Sequence, residues 1–157
     1  MDPREHDGAA VRLPPPLVFL LAVLAGIVLQ LFLPFRLDLP RGVRIGVALA
    51  FVLAGISVWG TAIGLFRRSG QSPRPWESTP EIISAGVYRY TRNPMYLAMA
   101  LLQAAIAVGA SNGWILALVP VSLVIVYFTA VRHEEAYLER KFGAVYLEYK
   151  RTVRRWL

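Results

Sequence analysis

Two polar stretches of the chain carry residue types that suit ligand binding. The first covers residues 86–96 and the second covers residues 132–135. The first contains three tyrosines and an asparagine, Tyr88, Tyr90, Tyr96 and Asn93. These side chains offer hydrogen bonds and flat faces for an adenine or a similar ring. On composition alone, an aromatic belt at a membrane interface explains the tyrosines equally well.

The second stretch contains two neighbouring carboxylates, Glu134 and Glu135. Successive residues of an α-helix point about 100° apart, so the two cannot face one ligand atom. One of them can face a pocket while the other faces solvent or a basic neighbour. From spacing alone, a solvated helix start is an equally good explanation. His133, inside the second stretch, is either a base or, more simply, an interfacial residue.

Composition argues against thiol and metal chemistry. The absence of Cys excludes disulfides, thiolate catalysis and Cys-ligated metals. Besides His133, the only other histidine is His6, which lies in the amino-terminal tail. We therefore expect no metal site.

The rest of the chain is apolar enough to place both stretches at a membrane. Hydrophobic residues make up 56% of its 157 residues and the mean hydropathy is +0.49, whereas a soluble domain is about 45–50% apolar. We predict membrane helices in four apolar runs, residues 17–35, 43–66, 94–110 and 114–131. Each is close to the ~20 residues of one bilayer crossing, with the third at the short end. The expected fold is one all-α domain, residues 1–157, a polytopic integral membrane protein with about four transmembrane helices.

The third and fourth runs must be antiparallel neighbours, because the turn signal Ser111-Asn112-Gly113 separates them. Such a hairpin brings residues 86–96 and 132–135 to the same membrane surface. Asn93 is expected to be the N-cap of the third helix and Pro94 its first residue. The meeting point of the two stretches is our candidate active site.

The remaining segments connect or flank these helices. Residues 1–16 are polar and Pro-rich and are predicted to be a flexible tail. Residues 67–92 form a long interfacial connection. Residues 132–150 alternate between apolar and charged positions, which predicts an amphipathic cytosolic helix broken near Gly143.

The second apolar run contains small residues that allow helices to approach closely. They include Gly46, Ala50 and Ala54. We expect this stripe to pack within the chain and not to form a dimer seam.

The basic residues indicate an orientation. Two Lys or Arg residues precede the first run, five lie in residues 67–92 and seven follow the fourth run, against three on the opposite side, which are Arg36, Arg41 and Arg44. The positive-inside rule therefore puts both termini in the cytoplasm, and we expect a bacterial-type inner membrane. The net charge of +7 is interpreted as membrane-surface charge and not as binding to nucleic acid.

These blocks resemble the isoprenylcysteine carboxyl methyltransferase family. The resemblance rests on residues 86–96, the helical hairpin, Glu134-Glu135, Phe142-Gly143 and residues 146–149. The wider superfamily includes phospholipid N-methyltransferases. The resemblance implies an S-adenosylmethionine cofactor bound at the cytosolic side. It also implies a lipophilic or lipidated substrate that enters from the membrane lipids.

Carried over by position, the resemblance implies a cofactor-binding set within a core of residues 65–155. The set comprises Pro80, Glu81, Ile82, Ile83, Tyr88, Asn93, Pro94, Met95, Tyr96, Glu134 and Glu135. Arg132 is assigned to the substrate, because it is the Arg nearest to Ala130, where related enzymes place a substrate-contacting Arg. The family's common His before the Pro is Asn93 here, which keeps hydrogen bonding but loses the titratable ring.

The predicted function is S-adenosylmethionine-dependent methyl transfer to an isoprenylcysteine-type carboxylate or a lipid headgroup, with no catalytic base assigned. Two alternatives stay open. An NADPH-dependent membrane reductase is one, because sterol reductases resemble the carboxyl-terminal pattern. A non-catalytic membrane protein that keeps the fold is the other. The sequence does not indicate an oligomeric state.

The distribution of basic residues makes a topology prediction. Reporter proteins fused to either end of the chain should both report a cytoplasmic location, because 14 of the 17 Lys and Arg residues lie on that side. A periplasmic signal from the carboxyl end would contradict the four-span arrangement.

Overall fold

The computed structural model describes residues 13–70, 72, 77 and 79–157 and contains no β-strand among them. Its α-helices are α1 (Pro15–Phe32), α2 (Arg41–Arg68), α3 (Pro94–Gly109), α4 (Gly113–Val126), α5 (Arg132–Phe142) and α6 (Ala144–Thr152). A 3-10 turn covers Gly86–Arg89 and a π-helical turn covers Tyr127–Val131. The predicted all-α class is confirmed.

Three helical stretches are long and apolar enough to cross a membrane. They are Pro15–Phe32, Arg41–Arg68 and Gly113–Phe142, the last of which joins α4, the π-helical turn and α5. The fourth apolar helix, α3, has 16 residues, or about 24 Å, which is less than the ~30 Å of a hydrocarbon core. These helices indicate an integral membrane protein, while the count of four spans stays a prediction.

Proline and asparagine mark the helix starts. Helix α1 has Pro at its first positions, where the missing N–H needs no partner, so it begins inside the segment expected to be a tail. Residues 1–12 of that segment lie outside the described residues. Helix α3 begins at Pro94 as predicted, but the Asn93 side chain makes no capping hydrogen bond. Asn112 does cap α4, because its Oδ1 accepts from the N–H of Ile115 at 3.0 Å.

The turn between α3 and α4 is fastened to the connection between α1 and α2. The N–H of Gly113 donates to the carbonyl of Phe35 at 2.8 Å. The Ser111 hydroxyl donates to the carbonyl of Leu37 at 2.8 Å. The hairpin of α3 and α4 is therefore anchored at its turn. The start of α3 and the end of α4 lie together at the opposite end.

Helix α1 lies close against α4 at Gly26. A Cβ atom at this position would lie 2.8 Å from the backbone nitrogen of Ile115 and 2.9 Å from its Cα. The Asn112 side-chain amide also donates to the carbonyl of Gly26, at 3.1 Å. Only glycine allows the two backbones to approach this closely.

Helix α2 meets α3 through Gly55, where a Cβ atom would lie 3.2 Å from the Ala98 carbonyl oxygen. The stripe predicted to pack within the chain lies elsewhere. No other part of the described chain comes within 4 Å of a Cβ built at Gly46, and Ala50 and Ala54 are exposed. That expectation is wrong, because α2 uses the helix face of Gly55 for its contact with α3.

The glycine contacts predict opposite effects for two alanine substitutions. Gly26→Ala should lower the free energy of unfolding by about 1–3 kcal/mol, because its methyl group overlaps the Ile115 backbone. Gly46→Ala, in open space on a helix, should raise it by about 0.5–1 kcal/mol. Thermal unfolding of both variants in the same detergent tests this. Equal melting temperatures would contradict the close α1–α4 contact.

Candidate active site

A cavity lies where the two polar stretches meet, as the hairpin predicts. Its lining residues are Phe66, Ser72, Thr79, Glu81, Ile82, Ile83, Tyr88, Arg92, Asn93, Pro94, Met95, Tyr96, Glu134, Glu135, Tyr137, Leu138, Tyr146 and Tyr149. Ten of the eleven residues assigned to a cofactor are in this set. The eleventh, Pro80, is exposed and is not one of them. That these residues bind a cofactor stays a prediction.

Tyr96 and Glu134 join the two stretches directly. The Tyr96 hydroxyl donates to Oε1 of Glu134. Tyr96 lies in the first turn of α3 and Glu134 lies in the first turn of α5, so the hairpin positions both. Within the described part of the chain, Oε2 of Glu134 makes no hydrogen bond and is available to a ligand.

Glu135 points toward two guanidinium groups. Nε and Nη2 of Arg155 donate to its two carboxylate oxygens at 2.9 and 3.0 Å. Nη2 of Arg92 lies 3.2 Å from Oε1 of the same carboxylate. The hydrogen bond to Glu135 raises the pKa of Arg155. The two neighbouring carboxylates thus have different partners, as their angular spacing on a helix predicts.

Arg92 lines the cavity with a partly satisfied guanidinium. Its side chain is 8% exposed, and Nη1 donates to the carbonyl of Lys150 at 3.2 Å. Its Nε is buried and has no hydrogen-bond partner in the described part of the chain. A buried donor without an acceptor costs about 1–3 kcal/mol, so this nitrogen is a candidate contact for a ligand. The sequence alone leaves open whether Arg92 is a partner for a phosphate or carboxylate or only one of the basic residues that set the membrane orientation.

Three tyrosines connect residues 79–89 to the carboxyl-terminal helices. Tyr149 donates its hydroxyl to the carbonyl of Tyr88 at 2.8 Å, and the Tyr88 ring packs edge-on against Phe66. The Tyr137 hydroxyl accepts from the N–H of Thr79 at 3.3 Å. These contacts hold one wall of the cavity on α5 and α6.

Burial raises the pKa of the cavity phenols further above neutral pH. It raises the pKa of Tyr149 to about 12, although nearby Arg92 lowers that pKa. Burial is also the main cause of the raised pKa of Tyr88, and of Tyr146, where the charge of Glu135 adds to it. At neutral pH each of these hydroxyls is therefore a hydrogen-bond donor and not a phenolate.

The tail after α6 returns to the start of α3. The N–H of Arg92 donates to the Arg154 carbonyl at 2.9 Å, and Thr91 and Arg154 form an isolated parallel β-bridge. The Thr91 hydroxyl and the Asn93 side-chain amide donate to the Arg155 carbonyl at 3.1 and 3.0 Å. The Asn93 side chain therefore binds the tail and does not cap α3, as the sequence had predicted it would.

Two residues singled out from sequence lie away from the cavity lining. Tyr90 is 73% exposed and does not line the cavity, so the interfacial explanation fits it better. Arg132 is exposed, and its guanidinium carbon lies 6.0 Å from the centre of the Phe128 ring. Its assignment to the substrate stays a prediction, without support from the cavity.

Sequence reasoning missed several residues of the site. Tyr146 and Tyr149 belong to the block that carried the family resemblance, so that block held a usable signal. Tyr137 falls on the apolar face of the amphipathic segment, where a core role was the simpler interpretation. Arg155 had no local signal, since nothing in the spacing of the tail indicates a contact with Glu135.

Comparison with known proteins identifies the family of this chain. The family model described as phospholipid methyltransferase matches residues 43–145, from α2 to the first residues of α6. An uncharacterized protein of Haemophilus influenzae is 46% identical over 65 residues, which is 40% of this chain and 100% of that protein. The wider superfamily indicated by the sequence is confirmed, and the chain belongs to the phospholipid methyltransferase family.

Proposed function

We propose that this protein transfers a methyl group from S-adenosylmethionine to a lipophilic acceptor in the membrane. The observation that carries the proposal is the cavity between the starts of α3 and α5. It combines the Tyr96–Glu134 pair with the buried, unpartnered Nε of Arg92, in a chain of a methyltransferase family. We place this cavity at the cytoplasmic face, in keeping with the positive-inside rule.

The residues present fit the polar groups of this cofactor. Its carboxylate would satisfy Nε of Arg92, which has no acceptor in the described part of the chain. Its ammonium group would pair with the open oxygen of Glu134, since a charge-assisted hydrogen bond is stronger than a neutral one. The rings of Tyr88 and Tyr149 offer flat faces of the kind that suits adenine.

When bound, S-adenosylmethionine supplies an electrophilic methyl group. The task of the chain is then alignment, because the acceptor must lie about 3–3.5 Å from the methyl carbon and in line with the breaking bond. Part of the cavity wall is apolar and consists of Ile82, Ile83 and Leu138. This apolar surface limits water at the reacting atoms. No side chain is assigned as a base.

A phospholipid headgroup is the acceptor that the site supports better than a prenylcysteine carboxylate. Ala130 stands where related enzymes carry a substrate-contacting Arg, and it is fully buried in the π-helical turn. The family description points the same way.

Removing the charge of Glu134 should weaken cofactor binding. Glu134→Gln keeps the shape but loses a charge-assisted hydrogen bond worth about 1.5–3 kcal/mol, so affinity for S-adenosylhomocysteine should fall roughly 10- to 150-fold. Isothermal calorimetry measures this. The matched control is Glu148→Gln, an exposed residue paired with Arg151, which should bind as the wild type does. Equal affinities for the two variants would refute the role of Glu134.

Cofactor binding should stabilise the whole protein. A ligand that binds only the folded state adds about 2.7 kcal/mol at a hundredfold excess over its Kd. S-adenosylhomocysteine should therefore raise the melting temperature in detergent and protect residues 79–96 and 132–149 from hydrogen exchange together. NADPH should do neither.

The same preparation tests the reaction and its alternatives. Incubation of lipid extracts with methyl-labelled cofactor, followed by mass spectrometry, should show label in a phospholipid headgroup. A melting shift with NADPH alone would support the reductase instead. If neither nucleotide shifts the melt at millimolar concentration, the proposed cofactor cavity is wrong.

A further inference from the structure

We propose that Arg155 of the carboxyl-terminal tail is a positioning residue of the active site. It lies outside the cavity lining, and it acts through Glu135 and through its own carbonyl to hold Arg92 and Asn93 in the cavity wall. Its effect on catalysis rests on the function proposed above, whereas its effect on the cavity wall does not.

The side chain of Arg155 provides the first connection. Its planar fork donates two hydrogen bonds to Glu135, at 2.9 and 3.0 Å. One of the same carboxylate oxygens lies 3.2 Å from Nη2 of Arg92. The two hydrogen bonds from Arg155 thus fix the position of the negative charge that pairs with Arg92. The orientation of the Arg92 guanidinium, including its unpartnered Nε, therefore depends on Arg155.

The main chain of Arg155 provides the second connection. Its carbonyl accepts from the Asn93 amide at 3.0 Å and from the Thr91 hydroxyl at 3.1 Å. Asn93 and Pro94 begin α3, and both line the cavity. The direction in which α3 leaves the site is therefore tied to the tail.

Contacts on the other side fix Arg155 itself. Its guanidinium carbon lies 4.8 Å from the centre of the Tyr127 ring, a distance that suits a cation–π interaction. The next residue, Trp156, packs against the core cluster that contains Tyr96 and Val126. A lysine at this position would keep the charge but could not donate the same pair of parallel hydrogen bonds to one carboxylate.

Arg155 lies beyond the part of the chain that the family match covers, although the residues it contacts lie within that part. The match ends at residue 145, whereas Arg155 and its immediate neighbours follow α6. The inference therefore comes from the contacts of this chain alone. It also explains why Glu135 lines the cavity and yet has its oxygens occupied by arginines.

The test compares Arg155→Gln and Arg155→Lys with a matched control, Arg151→Gln. The control removes the same charge from an exposed side chain that pairs only with Glu148 in the described part of the chain. Full-length variants in detergent are assayed for S-adenosylhomocysteine affinity and for kcat and KM of lipid methylation. Hydrogen exchange of residues 91–96 is measured without ligand, and the melting temperature gives the folded fraction.

We expect Arg155→Gln to lower kcat/KM by up to about 100-fold per folded molecule, the loss that a misplacement of about 1 Å in an active site can cause. Arg155→Lys should fold but recover only part of the rate. Exchange at residues 91–96 should rise in both. Arg151→Gln should stay within about twofold of the wild type. The effects of Arg155→Gln and Glu135→Gln on kcat/KM should not add, since the two side chains share their hydrogen bonds.

Three results would overturn the proposal. The first is a kcat/KM for both Arg155 variants equal to that of Arg151→Gln. The second is a lower melting temperature with unchanged kinetics per folded molecule, because that is a purely structural role. The third is unchanged exchange at residues 91–96. If the wild type itself binds no S-adenosylhomocysteine, the proposed function fails, and the exchange measurement still decides whether Arg155 holds the cavity wall.

Discussion

The carboxylate of Glu135 is buried, with 8% of the residue exposed, and it lies between the guanidinium groups of Arg92 and Arg155. Taking such a charge out of water costs several kcal/mol, and leaving it without a partner destabilises a protein by about 3–5 kcal/mol. The start of α3, the start of α5 and the tail must therefore be in place together. The geometry of the cavity depends on this one constraint.

The constraint also determines what the preceding residue can do. Because Glu135 faces the arginines, Glu134 turns about 100° away from it along the same helix and reaches Tyr96. The two neighbouring carboxylates thereby have separate partners, and both line the cavity. The π-helical turn Tyr127–Val131 directly precedes this pair, and such turns are rare and often lie beside functional sites.

Local patterns in the sequence were enough to predict the membrane class, the hairpin and the meeting of residues 86–96 with 132–135. Long apolar runs and a short polar turn leave little choice of arrangement. Asn93 shows where a local rule fails, because its amide reaches a carbonyl 62 residues away and not the nearby helix N–H groups. The role of Arg155 could not be predicted from sequence for the same reason. Its partners are determined by tertiary contacts and not by sequence spacing.

The return of the tail has a consequence for the order of folding. The contacts of Thr91 and Asn93 with Arg155 join positions 64 and 62 residues apart, and closing long loops costs more entropy than extending a helix. We therefore expect the apolar helices to form and associate first and the tail to dock last. A molecule at that stage would have nearly all of its helix content and an incomplete cavity, so circular dichroism alone would not distinguish it from the active protein.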